Sequence, residues 1–380
     1  MKITMLGHKR FPSREGGIEV VVTELATRMV KLGHTVTCLN RHGHHVAGRE
    51  YDGSRRLGAA GVWIHDVWTL DRAGLAAMTS SVSGAFRAAL SGSQVVHFHA
   101  EGPCAMLWLP KLFGKRCIAT IHGLDHQRAK WGAFARWYIM CGERMAAKKA
   151  DEIIVLSKPV QEYFRKVYGR ETRLIPNGVP APTPRSADEI TKQWGLVPRS
   201  YILFLARMVP EKGLRRLIEA FKEAKTDKRL VLAGGPSGSE GFYSEMQALA
   251  ADDPRILFTG FVQGAPLEEL FSNAYLFVLP SDLEGMPLAL LEAMSYGNAC
   301  LVSDIPECTD VSGGAALVFH RDVPGDLREK LQTACDHPES LEPLRVAAPE
   351  RVRKRFDWDD VVRRTLLAYE GKPDEPPPEG

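Results

Sequence analysis

Glu284 and Glu292 bracket the run Gly285-Met286-Pro287-Leu288-Ala289-Leu290-Leu291, and this is where residue type and spacing first point to chemistry. Pro287 suits the first turn of a helix, where its missing N–H would have no intrahelical acceptor. A helix opening there, just after Met286, would turn the N–H groups of Leu288 and Ala289 outward. With the helix dipole behind them, these groups favour an anion such as a diphosphate. Glu284 would stand just before the helix and Glu292 about one and a half turns into it. Both carboxylates can accept bonds from pairs of hydroxyls, one pair on a sugar and one on a ribose. The plainer alternative is a Glu284 that caps the helix and a Glu292 that faces solvent. Leu288, Leu290, Leu291, Ala293 and Met294 make this helix apolar over most of its surface, and a glutamate in a buried helix needs a partner.

Three further loops carry candidate groups. In Arg207-Met208-Val209-Pro210-Glu211-Lys212-Gly213 two cations precede a helix that begins near Gly213. Arg offers a fork of donors and Lys a point charge, a pair able to clamp linked phosphates; a merely solvated loop is the alternative. Gly16-Gly17 permits close backbone approach to a ligand, or simply a tight turn. The turn is not a GxGxxG, and no acidic residue lies on the following strand to hold a ribose, which argues against a nicotinamide dehydrogenase. His122, before Gly123, fits a ligand-facing position or a hydrogen bond to backbone. His97 and His99 alternate on one strand and face the same side; without a third ligand they read as core or rim packing rather than a metal pair. Asp357-Trp358-Asp359 mimics a metal-holding carboxylate pair but reads as a helix start, so no metal site is assigned. His42, His44 and His45 are expected to be solvated.

These loops need a scaffold, and the pattern supplies one. Apolar and β-branched runs at 3–6, 36–39, 62–67, 95–98, 117–121 and 153–156 alternate with stretches of helical period such as Ile18, Val21, Val22, Leu25 and Met29. Alternating strands and helices build a doubly wound, mostly parallel sheet, whose ligands bind at the carboxyl ends of the strands. Four prolines within residues 176–184 and the Asn177-Gly178 turn signal mark a linker. The pattern then restarts with strands expected at 201–205, 229–232, 256–258, 275–279 and 299–302. The resulting division is a first domain over 1–178, a second over 179–355, a last helix over 356–371 and a Pro- and Glu-rich, disordered tail over 372–380.

Composition narrows the class. A chain of 380 residues with 44% hydrophobic and 25% charged residues is an ordinary globular protein of about two domains. Its seven cysteines form no CxxC pair and read as reduced core residues. The apolar start, Met1 to Gly7, is too short for a signal peptide, and no run approaches the length that spans a bilayer. The net charge of +3 conceals an asymmetry: residues 1–178 hold 26 Lys and Arg against 14 Asp and Glu, the remainder 23 against 32. A basic half suits an anionic membrane surface or a phosphorylated acceptor, or only a solvated exterior. No recognisable nucleic-acid recognition motif accompanies it.

Taken together, these residues resemble glycosyltransferase family 4, retaining enzymes of the GT-B fold, over nearly the whole chain. The E-x7-E pattern is Glu284 to Glu292, the basic pair Arg207 and Lys212, and the glycine loop Gly16-Gly17. Ile175-Pro176-Asn177-Gly178-Val179 is similar to the family's hinge, and Phe356-Asp357-Trp358 to the start of its last helix, which packs back on the first domain. Gly16-Gly17-Ile18-Glu19 also resembles a bacterial subgroup linked to rhamnosyl transfer in surface polysaccharide synthesis. The resemblance implies an α/β protein of two Rossmann-like domains with a cleft between them. It implies a nucleotide-sugar donor, UDP- or TDP-linked, no cofactor or metal, and a saccharide or lipid-linked acceptor at the cytoplasmic face of a membrane. Glu292 would hold the donor ribose and Glu284 the sugar hydroxyls, Arg207 and Lys212 would neutralise the leaving diphosphate, Gly17 would approach it by its backbone, and His122 would face the transferred sugar. Met286-Pro287 stands where many members have Phe-Gly, which shifts phosphate binding toward Leu288, Ala289 and the two cations. The rivals are a nucleotide-sugar epimerase of similar architecture and a non-catalytic sugar or nucleotide-sugar binder.

Overall fold

The apolar runs form strands that lie flat against helices on both sides, in two separate sheets. The computed structural model describes residues 1–14, 16–43, 56–70, 72, 75–127, 131–236 and 240–376; His44 and His45 of the histidine cluster lie outside them. The first sheet comprises β1 (Lys2–Leu6), β2 (Thr35–Arg41), β3 (Arg56–Leu57), β4 (Trp63–Val67), β5 (Val95–His99), β6 (Arg116–Ile121), β7 (Glu152–Val155) and β8 (Arg173–Leu174). Its order is β3-β4-β2-β1-β5-β6-β7-β8, parallel except where β3 meets β4. The second comprises β9 (Tyr201–Leu205), β10 (Arg229–Ala233), β11 (Ile256–Gly260), β12 (Leu276–Leu279), β13 (Cys300–Ser303) and β14 (Leu317–Phe319), ordered β11-β10-β9-β12-β13-β14 and parallel. The short strands β3, β8 and β14 were not foreseen from the sequence.

Burial on both faces explains the uninterrupted apolar runs. In β9, Tyr201 and Leu203 enter one core while Ile202 and Phe204 enter the other; in β12, Phe277 and Leu279 alternate in the same way with Leu276 and Val278. Each sheet reverses its winding once, at β1/β5 and at β9/β12. Such reversals open the crevice in which doubly wound sheets bind ligands. Of the seven cysteines, five are buried and all are unpaired. Among the described residues no helix is long and apolar enough to cross a membrane.

The chain divides into a first unit, Met1–Gly178 with Trp358–Gly380, and a second, Val179–Asp357. Phe356 is a correction to the expected boundary. It stays with the second unit because its ring lies in that core and its carbonyl accepts the Val179 N–H at 2.9 Å. The last helix, Trp358–Glu370, belongs to the first unit. Tyr369 Oη lies 2.7 Å from His97 Nδ1, Arg116 donates to the Ala368 carbonyl at 2.9 Å, and Arg28 pairs with Asp359 at 2.6 Å. The expectation of disorder from residue 372 is corrected for 372–376. Buried Arg364 holds Asp374 through bonds of 2.9 and 2.7 Å, and Arg173 donates to the Lys372 carbonyl at 2.6 Å.

Gly178 shows how closely the last helix is seated. A Cβ there would stand 2.6 Å from the Trp358 nitrogen and 2.8 Å from its Cα, and backbone cannot give way as a flexible side chain can. Gly178→Ala is therefore expected to lower the melting temperature by several degrees, corresponding to about 1–3 kcal/mol of overpacking. Gly92→Ala, where a Cβ meets nothing within 4 Å, should leave it unchanged. Equal melting of the two variants would contradict this seating.

Candidate active site

In the second unit the loops after β9 and β12 meet through a buried ion pair. Lys212 ends the short turn Pro210–Lys212, and its Nζ donates to Glu284 Oε1 at 2.5 Å; the two side chains are 13% and 6% exposed. Ser281 Oγ donates to the same carboxylate oxygen at 2.7 Å, and Ser303 Oγ to the Ser281 carbonyl at 2.6 Å. Backbone brings the loops equally close, since Asp282 N–H donates to the Glu211 carbonyl at 2.9 Å. Gly213 makes this approach sterically feasible. Its φ is +69°, and a Cβ would lie 1.9 Å from the Pro280 carbonyl oxygen. Arg207 is half-buried at the start of the same β9 loop. Arg207, Lys212 and Glu284 thus sit at the carboxyl ends of β9 and β12, where this sheet reverses its winding.

The helix that follows spans Leu288–Ser295 and carries half-buried Glu292 in its interior. Here the structure corrects the expected start. Pro287 is the residue before the helix, not within its first turn, with φ −80° and ψ 84°. The Leu288 N–H is occupied, donating to the Met286 carbonyl at 3.0 Å, while the Pro287 carbonyl receives Leu290 and Leu291 N–H at 3.0 and 3.2 Å. That leaves Ala289 N–H as the backbone donor at the helix start. Met286, Leu288 and Ala289 also pack against the core, so this helix is seated by its apolar side as the sequence pattern required. Glu284 does not cap it; its carboxylate is committed to Lys212 and Ser281.

Gly16, Gly17 and His122 belong to the first unit. Gly16 precedes the helix Gly17–Lys31, and a Cβ on it would stand 2.3 Å from Glu19 Oε2. Buried Glu19 accepts the Lys9 N–H at 2.9 Å, so room for this carboxylate is one reason for a glycine at 16. Gly17 is exposed at the helix start. His122 is half-buried after β6, its Nε2 3.1 Å from His99 Nδ1. His97 is fully buried and lies 2.7 Å from both Tyr369 Oη and Thr120 Oγ1. A fourth ring, His8, is buried 3.2 Å from Asn40 Oδ1. Burial pushes His8 down to about 4 and His97 to about 3, and it holds His99 well below the ordinary imidazole value. His8, His97 and His99 are therefore neutral at pH 7.

Sequence reading missed several of these groups. Gly234-Gly235 after β10 is a glycine pair of the kind noticed at Gly16-Gly17. Gly234 has φ +131° and a Cβ there would lie 1.9 Å from the Ala206 carbonyl oxygen, and the Gly235 carbonyl accepts Met208 N–H at 3.0 Å. The β10 end thus supports the Arg207 loop from below. Ser281 and His8 gave no signal beyond their place after a strand or turn.

Comparison with known proteins agrees with this architecture. Residues 15–181 match the model of glycosyltransferase family 4, and residues 199–337 that of the group 1 glycosyl transferases. A Bacillus subtilis protein named as an uncharacterized glycosyltransferase, YqgM, is 33% identical over 289 residues, covering 73% of this chain and 77% of its own. Sucrose-phosphate synthase of Thermosynechococcus elongatus superposes with a TM-score of 0.84 at 20% identity, over 97% of this chain and 98% of its own. Anabaena HepE, solved in complex with UDP-glucose, superposes with a TM-score of 0.77 at 16% identity, over 98% and 100%.

The neutral histidines give the first unit a particular acid sensitivity. His97 has a folded value of about 3 against 6.5 for the free group. Below pH 6.5 the unfolded chain takes up a proton that the folded one refuses. The stability due to this residue is complete above pH 6.5 and is lost as pH falls toward 3, by about 1.4 kcal/mol per pH unit. His97→Gln is expected to flatten the pH dependence of amide-exchange protection in β1, β5 and β6 between pH 6.5 and 4. An unchanged slope would contradict the assignment.

Proposed function

This chain belongs to the family 4 and group 1 glycosyltransferases, and from that premise we propose that it moves a hexosyl group from a nucleotide sugar with retention of anomeric configuration. The observation that carries the reading is the buried Lys212–Glu284 pair at the β9/β12 reversal, with Arg207 on the same loop. Breaking the bond between sugar and diphosphate builds positive character on the sugar ring and negative charge on the leaving oxygen. Preorganised donors aimed at that oxygen lower the barrier most. An ammonium has three donors, so Lys212 can keep Glu284 and still reach a phosphate; Arg207 adds its planar fork. Ala289 N–H and the helix dipole behind it add to the same field. With these groups the leaving charge can be met without a metal.

In this reading Glu292 accepts the ribose hydroxyls and Glu284, oriented by Lys212 and Ser281, those of the sugar. The family resemblance assigns Gly17 to the diphosphate and His122 to the transferred sugar, and the acceptor is proposed to meet the first unit. The donor is UDP- or TDP-linked, a choice supported by the UDP-glucose complex of HepE. A saccharide or lipid-linked acceptor on the inner face of the plasma membrane is supported by the positive excess of residues 1–178, and a role in bacterial surface polysaccharide, with a rhamnosyl-type subgroup, by the stretch Gly16 to Glu19.

Kinetics on the two cations test the reading. Lys212→Ala and Arg207→Ala are each expected to lower kcat by about 10²–10³, with the Michaelis constant for the donor changed far less. A Lys212→Ala enzyme with undiminished kcat would rule out this role for the ammonium.

A further inference from the structure

We propose that Glu101, His126 and Glu143 of the first unit bind a divalent transition-metal ion of the Zn²⁺ class. Glu101 follows β5, His126 lies in the turn Asp125–Gln127 after β6, and Glu143 sits in the helix Ala133–Lys149. One ligand atom from each falls within 4.8 Å of the other two. Glu101 and Glu143 side chains are 0% exposed and His126 15%.

What distinguishes this cluster is how its atoms are shared out. Glu101 Oε2 accepts the Asp125 N–H at 2.8 Å. Glu143 Oε1 accepts Tyr163 Oη at 2.8 Å and Tyr168 Oη at 2.5 Å. The remaining atoms, Glu101 Oε1, Glu143 Oε2 and His126 Nδ1, are buried with no hydrogen-bond partner outside the cluster, and they converge. His126 Nδ1 is 3.0 Å from Glu143 Oε2 and 3.9 Å from Glu101 Oε1. Ligands of a tetrahedral zinc ion stand about 3.3 Å from one another, given metal–ligand bonds of about 2.0–2.2 Å. A proton on Nδ1 could be given to one oxygen only, leaving the other carboxylate buried without a counter-charge; a cation at the convergence point satisfies all three atoms. Outer hydrogen bonds that hold a carboxylate by one oxygen while the other faces inward are the usual support of a metal ligand. Two carboxylates and an imidazole suit a borderline ion with a fourth, water position, whereas Ca²⁺ takes six to eight oxygens.

The backbone is shaped for this closeness as well. A Cβ on Gly142 would lie 2.0 Å from the Glu101 carbonyl oxygen, so only a glycine lets the helix bring Glu143 to Glu101. The ion would tie the turn that follows His122 to the β5 loop and to this helix.

The test uses the full chain, stripped with EDTA, freed of chelator and titrated with ZnCl₂ by calorimetry, with elemental analysis of the product. The expected result is one zinc per chain with a raised melting temperature. Glu101→Gln and His126→Ala should lose this binding, and Tyr163→Phe, which keeps every ligand, should weaken it about tenfold. If Glu101→Gln fails to fold, the half-buried His126→Ala carries the comparison. No uptake by the wild-type chain would mean that Glu101 and Glu143 share a proton instead. Undiminished uptake by His126→Ala would place the ion elsewhere. Either result overturns the proposal.

Discussion

The Lys212–Glu284 ion pair is the constraint around which the second unit's loops are arranged. Both charges are largely removed from water, and a buried pair regains its desolvation cost only when geometry and additional hydrogen bonds are good. Ser281 supplies one such bond, Ser303 fixes Ser281, and Gly213 permits the approach. Removing one partner would leave the other charge buried and alone, a loss of about 3–5 kcal/mol. In the proposed reading, a fold that carries such a liability at the carboxyl ends of two strands gains a cation already oriented for a ligand's negative charge. No side chain must then be ordered at the moment of reaction, which is what electrostatic preorganisation requires.

The first unit solves a different problem with different means. Its strand ends are lined by neutral imidazoles, His8, His97 and His99, whose burial suppresses their charge. Polar partners rather than counter-ions satisfy His97, with Tyr369 from the last helix on one nitrogen and Thr120 on the other. That helix therefore completes the hydrogen bonding of buried His97, and Arg116, Arg28 and Arg364 fasten it along its length. Partly satisfied hydrogen bonding of this kind is costly, which gives the C-terminal segment a structural reason to return to the first unit.

Much of this was legible in the sequence. The strand runs, the alternation, the Pro176–Pro184 break and the E-x7-E helix all follow from periodicity and from the chemistry of single residue types. The unread parts share a physical cause. β3, β8 and β14 are two or three residues long, too short for any period to show, and exist because an edge pairs with a longer neighbour. Lys212 and Glu284 meet across strand order that no local pattern encodes, and Glu101, His126 and Glu143 come from three elements. The start of the Glu292 helix was misplaced by one residue. Propensity puts proline at the first helical position, whereas here the Met286 carbonyl takes the Leu288 N–H and the helix begins after Pro287.

Calorimetric titration of the chain with UDP, TDP and GDP in buffer containing EDTA bears most directly on the claim that the β9 and β12 loops form a metal-independent nucleotide-sugar site. Saturable binding of UDP or TDP, lost in a folded Glu292→Ala variant, is expected. Binding of none of the three by folded protein, or binding unchanged in Glu292→Ala, would contradict it.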